Sequence, residues 1–405
     1  MTPLSNTWTQ SLSRRQWLRL TGLFATSTGM TNVLSGCQSP MQTMLMTAHE
    51  PRVRIGYLPI TDSSPLLAAH EKGFYANEGL DVAPMQVYRS WNAIAQAFMR
   101  RDVNVIHILM PTAIWMRYGL KFPAKVMAWN HTNGSALTVL PDIDRPEDLA
   151  GKTIAIPSWY SMHNVVLQIL LRERGLQPVY YPDDRSLGDR DVRLQVLPPP
   201  DMLAALKAQK IAGYIVAEPY NAAAEISQVG KLLRLTGDIW KDHACCVVLM
   251  HEADVMRYPK WAQRVVSAVV QAQQWAQINR SELAYVLSRD GGNYMPYPVS
   301  VLDRVLTYSD SDFYRNEGVI QNPEWRSQRI AFQPYPFPSY TEALVRSLQS
   351  TLIAGKIEFL KDLDPQVVAR DLVDDRFVRQ AIEQVGGPQS FGLSLDLTRQ
   401  ELIQA

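Results

Sequence analysis

From Arg52 onward, short apolar runs rich in β-branched residues alternate with segments whose apolar positions recur every three or four residues. The runs predict strands and the spaced segments predict amphipathic helices. Strands are expected over 53–58, 81–88, 103–110 and 125–129, then over 136–140, 153–156, 192–197, 211–216 and 245–250. The helix after the first strand has Ser64 as its expected cap and Pro65 at its first position. Ser90 caps the next helix, whose Ile94, Ala97 and Phe98 share one face, and Pro111 opens another. Further helices are expected over 162–174, over 202–209 with Asp201 as cap, and from Pro219. Such alternation predicts parallel sheets wrapped by helices. Beyond residue 250 the pattern is mostly helical, over 260–279, 281–289, 340–354 and 365–385. The aromatic and proline-rich stretch 294–338 carries no readable period.

The loops that follow the strands lead directly into helix starts. In open α/β sheets these carboxyl-end loops line the ligand crevice, and helix N-termini there offer unpaired N–H groups and a partial positive charge. Thr61, Thr112, Ser158 and Tyr160 sit in them and supply hydroxyls suited to oxyanions or other polar ligands.

The first 51 residues read differently. Arg14-Arg15 precedes a modest apolar run from Leu20 to Leu34 that ends in Leu34-Ser35-Gly36-Cys37. A charged front, a short apolar middle and small residues at the end make an export signal, and the middle is too short and polar for a membrane span. The arginine pair resembles the twin-arginine export address. The last four residues resemble a bacterial lipobox, whose cysteine carries the lipid. The expected layout is a twin-arginine-type lipoprotein signal over 1–37, a tether over 38–51, and a mature chain held outside the cytoplasm through Cys37.

Composition narrows the class further. With 46% apolar and 20% charged residues the chain is ordinary globular protein. A net charge of +1, with no basic run interleaved with aromatics, argues against nucleic acid as a partner. Three cysteines make no disulfide framework, and adjacent Cys245 and Cys246 read as buried thiols in a strand. His131, His163, His243 and Glu218 lack ligand-like local spacing, so no metal is expected from them. There is no nucleophile elbow and no phosphate loop.

Ile55-Gly56-Tyr57-Leu58-Pro59 with Asp62, then Pro65-Leu66 and Glu71-Lys72-Gly73-Phe74, resembles the opening of the nitrate/sulfonate/bicarbonate family of transporter substrate-binding proteins. Ser90-Trp91, the run from Ile106 to Pro111, the run from Pro198 to Met202, Ala217-Glu218-Pro219-Tyr220-Asn221 and Ile239-Trp240-Lys241-Asp242-His243 recur in order, as does the run from Gln271 to Trp275. The resemblance covers about 52–280. It implies an α/β fold, a periplasmic-binding-protein type II bilobal clamp with a helical C-terminal extension. Residues 52–135 plus 245–330 would form one lobe, 136–244 the other and 331–405 the extension, with the hinge near 134–139 and 236–246. It also implies a small-molecule solute between the lobes, ABC permease and ATPase subunits as partners, a monomer, and no cofactor beyond room for a co-bound cation.

Residue by residue, Trp91 and His163 align with ligand-site residues of nitrate binders, and Glu218-Pro219 matches a Glu-Pro-Trp segment with Tyr220 in place of Trp. Asn133-Gly134-Ser135 stands where nitrate and bicarbonate binders read Asn-Gly-Gln, which puts Ser135 at a ligand-facing glutamine. Ala244-Cys245-Cys246 replaces a Pro-Glu-Lys run and its lysine. These departures leave the class of solute, not its identity. Two other readings stand beside the importer: an enzyme of the fold family that includes the pyrimidine-forming enzymes of thiamine synthesis, and a lipoprotein that senses a solute for another partner.

Overall fold

The computed structural model describes residues 49–183, 185–307, 311–325 and 328–405. The export signal, Cys37 and nearly all of the tether lie outside the described residues.

The chain lays down β1 (Ile55–Tyr57), β2 (Gln86–Val87), β3 (Val105–Leu109) and β4 (Ala124–Trp129). It crosses through a short β5 (Thr132–Asn133) and then builds β6 (Ser135–Val139), β7 (Thr153–Ile156), β8 (Gln177–Val179), β9 (Asp191–Val196), β10 (Gly213–Ala217) and β11 (Lys231–Leu235). A second crossing returns it as β12 (Cys246–His251), and a late β13 (Ile330–Ala331) pairs with β5. One sheet has the order β2-β1-β3-β12-β4 and the other β11-β6-β10-β7-β9-β8.

The expectation of parallel sheets holds for part of each. β1, β2 and β3 run parallel, as do β7, β8, β9 and β10. β12 is antiparallel to both β3 and β4, and β6 is antiparallel to both β10 and β11. The two inverted strands are the ones that carry the chain out of each crossing, so they enter their sheets from the opposite end. Periodicity within a strand is blind to this direction. Two strands, β8 and β11, were not anticipated.

Local signals set most helix starts. The Ser90 hydroxyl accepts from Ala93 N at the head of Trp91–Met99, and Ser161 accepts from Asn164 N at the head of Met162–Glu173. Two expected caps are displaced. The first helix is Ser64–Glu71, with Ser63 in the cap position, because a 3₁₀ turn at Thr61–Ser63 precedes it. Asp201 lies inside the first turn of Pro199–Lys207, since the fixed φ of the preceding prolines is already helical.

The helix expected over 365–385 is two, Pro365–Leu372 and Arg376–Gln384. The chain breaks where Val373 bridges to Val126 of β4 and Asp374 N donates to Val126 O at 2.9 Å. This C-terminal part grips both sheets. Asp371 is held by Arg117 (2.8 Å) and Tyr118 (2.9 Å) beside β4. The Leu352 carbonyl accepts from Asn164 (3.1 Å) and Gln168 (2.9 Å) on the helix Met162–Glu173 of the other half. Buried Trp129, Trp240 and Tyr340 meet beneath the crossings. In the stretch without a readable period the structure places helices Val299–Leu306 and Ser311–Asn316.

Candidate functional site

The carboxyl ends of the parallel strands in the two sheets face each other. Loops after β2 and β3 meet loops after β7 and β9 around a crevice of about 280 Å³ lined by Trp91, Thr112, Trp115, Ser158, Tyr160 and Pro198. Four of the eight site residues expected from the sequence therefore line one gap. The halves are in contact across it. Thr112 Oγ1 donates to Tyr160 O at 2.7 Å, and Arg89 pairs with Asp201 at 3.2 Å. Trp115 stacks on Tyr160 with ring centres 5.6 Å apart. Trp91 meets His107 edge-on, and its buried Nε1 has no hydrogen-bond partner in the structure.

The other four lie deeper. Thr61, after β1, donates its N–H to Glu218 O at 2.9 Å, and Glu218 follows β10, so this too is a contact between strand-end loops of the two sheets. Glu218 is fully buried, and its carboxylate meets Ala222 N at 3.0 Å and Arg329 at 2.5 Å. Burial pushes its pKa up, against the pull of Arg329. That carboxylate is bound to a guanidinium and to its own helix. Ser135 Oγ lies 3.0 Å from His163 Nε2, at the start of the helix Met162–Glu173. His163 Nδ1 is buried without a hydrogen-bond partner among the described residues.

Around His163 lies a buried polar layer that the sequence did not reveal. His131 Nε2 is 3.0 Å from the Asp62 carboxylate, and both residues are fully buried. Burial acts against both charges, yet their attraction holds Asp62 down near 2 and His131 up near 10. Cys245 Sγ approaches His163 Nε2 at 3.8 Å, and the two cysteines are buried free thiols. His107 Nε2 accepts from Leu58 N at 2.8 Å, and His243 lies 2.9 Å from Thr236 Oγ1. Burial drives both of these histidines to a pKa of about 3, so they are neutral at physiological pH. Asp62 stands among the motif residues, and the sequence shows no ligand-like spacing among His131, His163, His243 and Glu218. Only the folded chain assembles Asp62, His131 and His243, because they come from the loop after β1 and from the two crossings.

Such a site offers hydroxyls, backbone N–H groups, one helix N-terminus and neutral imidazoles. It suits a small polar or anionic guest held by oriented donors, with a dry surround that strengthens each contact.

Several known proteins are similar to this chain. The nitrate/nitrite binding protein NrtA of Nostoc sp. PCC 7120 is 28% identical over 317 residues, covering 68% of this chain and 70% of that protein. The nitrate import ATP-binding protein NrtC of Synechocystis sp. PCC 6803 is 31% identical over 239 residues, 54% of this chain but only 34% of that longer protein. The crystal structure of the periplasmic nitrate-binding protein NrtA from Synechocystis PCC 6803 superposes with a TM-score of 0.70 at 20% identity, covering 85% of this chain and 93% of that one. It shares the bilobal fold expected from the sequence. Residues 47–288, more than half of the sequence, match one family throughout: this chain belongs to the NMT1-like family.

Proposed function

We infer that this protein is the solute-binding component of an ATP-driven importer, taking a small oxyanion or related small solute of the nitrate/nitrite, bicarbonate, cyanate or sulfonate class between its two halves. The observation that carries this reading is the convergence of strand-end loops from both sheets on one crevice, with Trp91, Thr112, Ser158 and Tyr160 around it. Solute that binds the closed form better than the open one shifts the hinge equilibrium toward closure, and a closed protein is the form a permease with its ATPase would recognise. In this reading His163, at a helix N-terminus beside Ser135 and below the crevice, donates one N–H to the anion. Export to the periplasmic side of a bacterial membrane, with a lipid anchor at Cys37, belongs to the same reading and rests on the N-terminal sequence.

The test is a thermal-shift screen of the full chain in detergent against nitrate, nitrite, bicarbonate with and without calcium, cyanate, taurine and alkanesulfonates. A ligand at a hundredfold its dissociation constant adds about 2.7 kcal/mol and raises the melting temperature by a few degrees. His163→Ala should abolish that rise and leave the unliganded melt little changed. No response to any of these solutes, or an unaltered response in the variant, would overturn the assignment of solute class or of His163.

A further inference from the structure

Directly beside His163, the four residues Asp62, His131, Cys245 and Cys246 bring one carboxylate oxygen, one imidazole nitrogen and two sulfurs within 4.8 Å of one another, all fully buried. The pairing of His131 with Asp62 is close but poorly aligned. Both Asp62 oxygens and both His131 nitrogens lack a hydrogen-bond partner of good geometry in the structure. A buried polar atom without such a partner forfeits its hydration uncompensated, and here four such atoms gather beside two thiols. This is a poor way to finish a core and a good way to surround a cation.

We propose that Asp62, His131, Cys245 and Cys246 form a buried binding site for one borderline divalent transition-metal ion of the zinc class. Two thiolates, one imidazole and one carboxylate make a four-coordinate S₂NO set, the donor chemistry such ions select. Bonds of about 2.0–2.3 Å place tetrahedral ligand atoms about 3.3–3.8 Å apart. With its ligand atoms no more than 4.8 Å apart, the cluster closes onto an ion by side-chain shifts of about 1 Å or less per atom. On binding, the two thiol protons and the second proton of His131 leave to solvent. The dication with two thiolates and one carboxylate then carries a single negative charge. Hard ions such as calcium are disfavoured, because the set offers only one oxygen-bearing side chain.

The place in the fold gives the ion a role. Asp62 stands in the loop after β1, His131 on the first crossing between the sheets, and the cysteines where the second crossing enters β12. One ion would tie both crossings to the strand-end loop of the first sheet. His163, reaching Cys245 from the other half at 3.8 Å, would be the first solute-side neighbour to feel it. The ion would fix the pivot about which the halves close, apart from whatever solute occupies the crevice.

The experiment is elemental analysis of the full chain purified without added metal, then cobalt(II) titration of the chelator-treated protein. One zinc-class ion per chain is expected, together with a thiolate-to-cobalt charge-transfer band and the strong visible bands of tetrahedral cobalt. Zinc should raise the melting temperature while calcium leaves it unmoved. Cys246→Ser and His131→Ala should lose the band and the zinc response, and Ser135→Ala, outside the ligand set, should keep both. Wild-type protein that neither holds nor takes up zinc, or binds cobalt without a thiolate band, overturns the proposal whether or not any variant folds. The readings need no solute, so failure here leaves the importer assignment standing, and failure of the solute screen leaves this one standing.

Discussion

Removing the charge of Arg329 gives the sharpest test of how the halves are held. Arg329 is 3% exposed and pairs with Glu218 at 2.5 Å and Glu225 at 2.9 Å. Arg329→Met keeps the volume and takes away the guanidinium. Glu225 retains Arg304 (3.2 Å) and the Tyr314 hydroxyl (2.8 Å), whereas Glu218 keeps, among the described residues, only Ala222 N. Stranding one buried charge costs about 3–5 kcal/mol. With an unfolding entropy of about 2.1 cal/mol/K per residue over the roughly 350 described residues, that is a fall of about 4–7 °C in melting temperature.

The loss should depend on pH with a definite sign. Burial already holds the Glu218 pKa above its ordinary value, and loss of Arg329 raises it further. A carboxyl with a raised folded-state pKa contributes stability that is full below its unfolded pKa and is lost as pH rises through the folded one. The deficit of Arg329→Met against wild type should therefore shrink from pH 8 to pH 5. Adding Glu218→Gln should recover part of the stability at pH 8. Calorimetry or urea melts at the two pH values read this directly. A deficit below about 1 kcal/mol, or one equal at both pH values, would refute the reasoning.

Other consequences follow from the same packing. His107 and His243 are neutral in the fold with pKa values near 3, so the unfolded chain binds their protons first and stability should fall as pH drops below about 6.5, by about 1.4 kcal/mol per pH unit for each. His107→Gln should close part of its gap to wild type between pH 7 and 5, and a constant gap would count against this account. Gly237, on the second crossing, leaves no room for a Cβ, which would meet Asn133 Oδ1 at 2.4 Å. Gly237→Ala should cost about 1–3 kcal/mol in urea melts, and a neutral substitution would show that the crossings are not packed as described. Ser161→Ala should remove the cap of the helix carrying His163, at a cost of about 1 kcal/mol; an unchanged melt would rule that cap out as a contributor.

The sequence by itself determined what is local. Alternating runs, the serine at 90, and prolines at helix starts specify strands, helices and the loops between them, because periodicity and capping act over a few residues. That was enough to place Thr61, Thr112, Ser158 and Tyr160 after strand ends, whereas Trp91 was singled out by the family resemblance. Only the tertiary structure decided the direction of β6 and β12, the break at Val373, the joining of Glu218 to Arg329, and the meeting of Asp62 and His131 with the paired cysteines. Each of these joins groups far apart in the chain. Their positions follow from where the backbone crosses between sheets, and no short window of residues encodes that crossing.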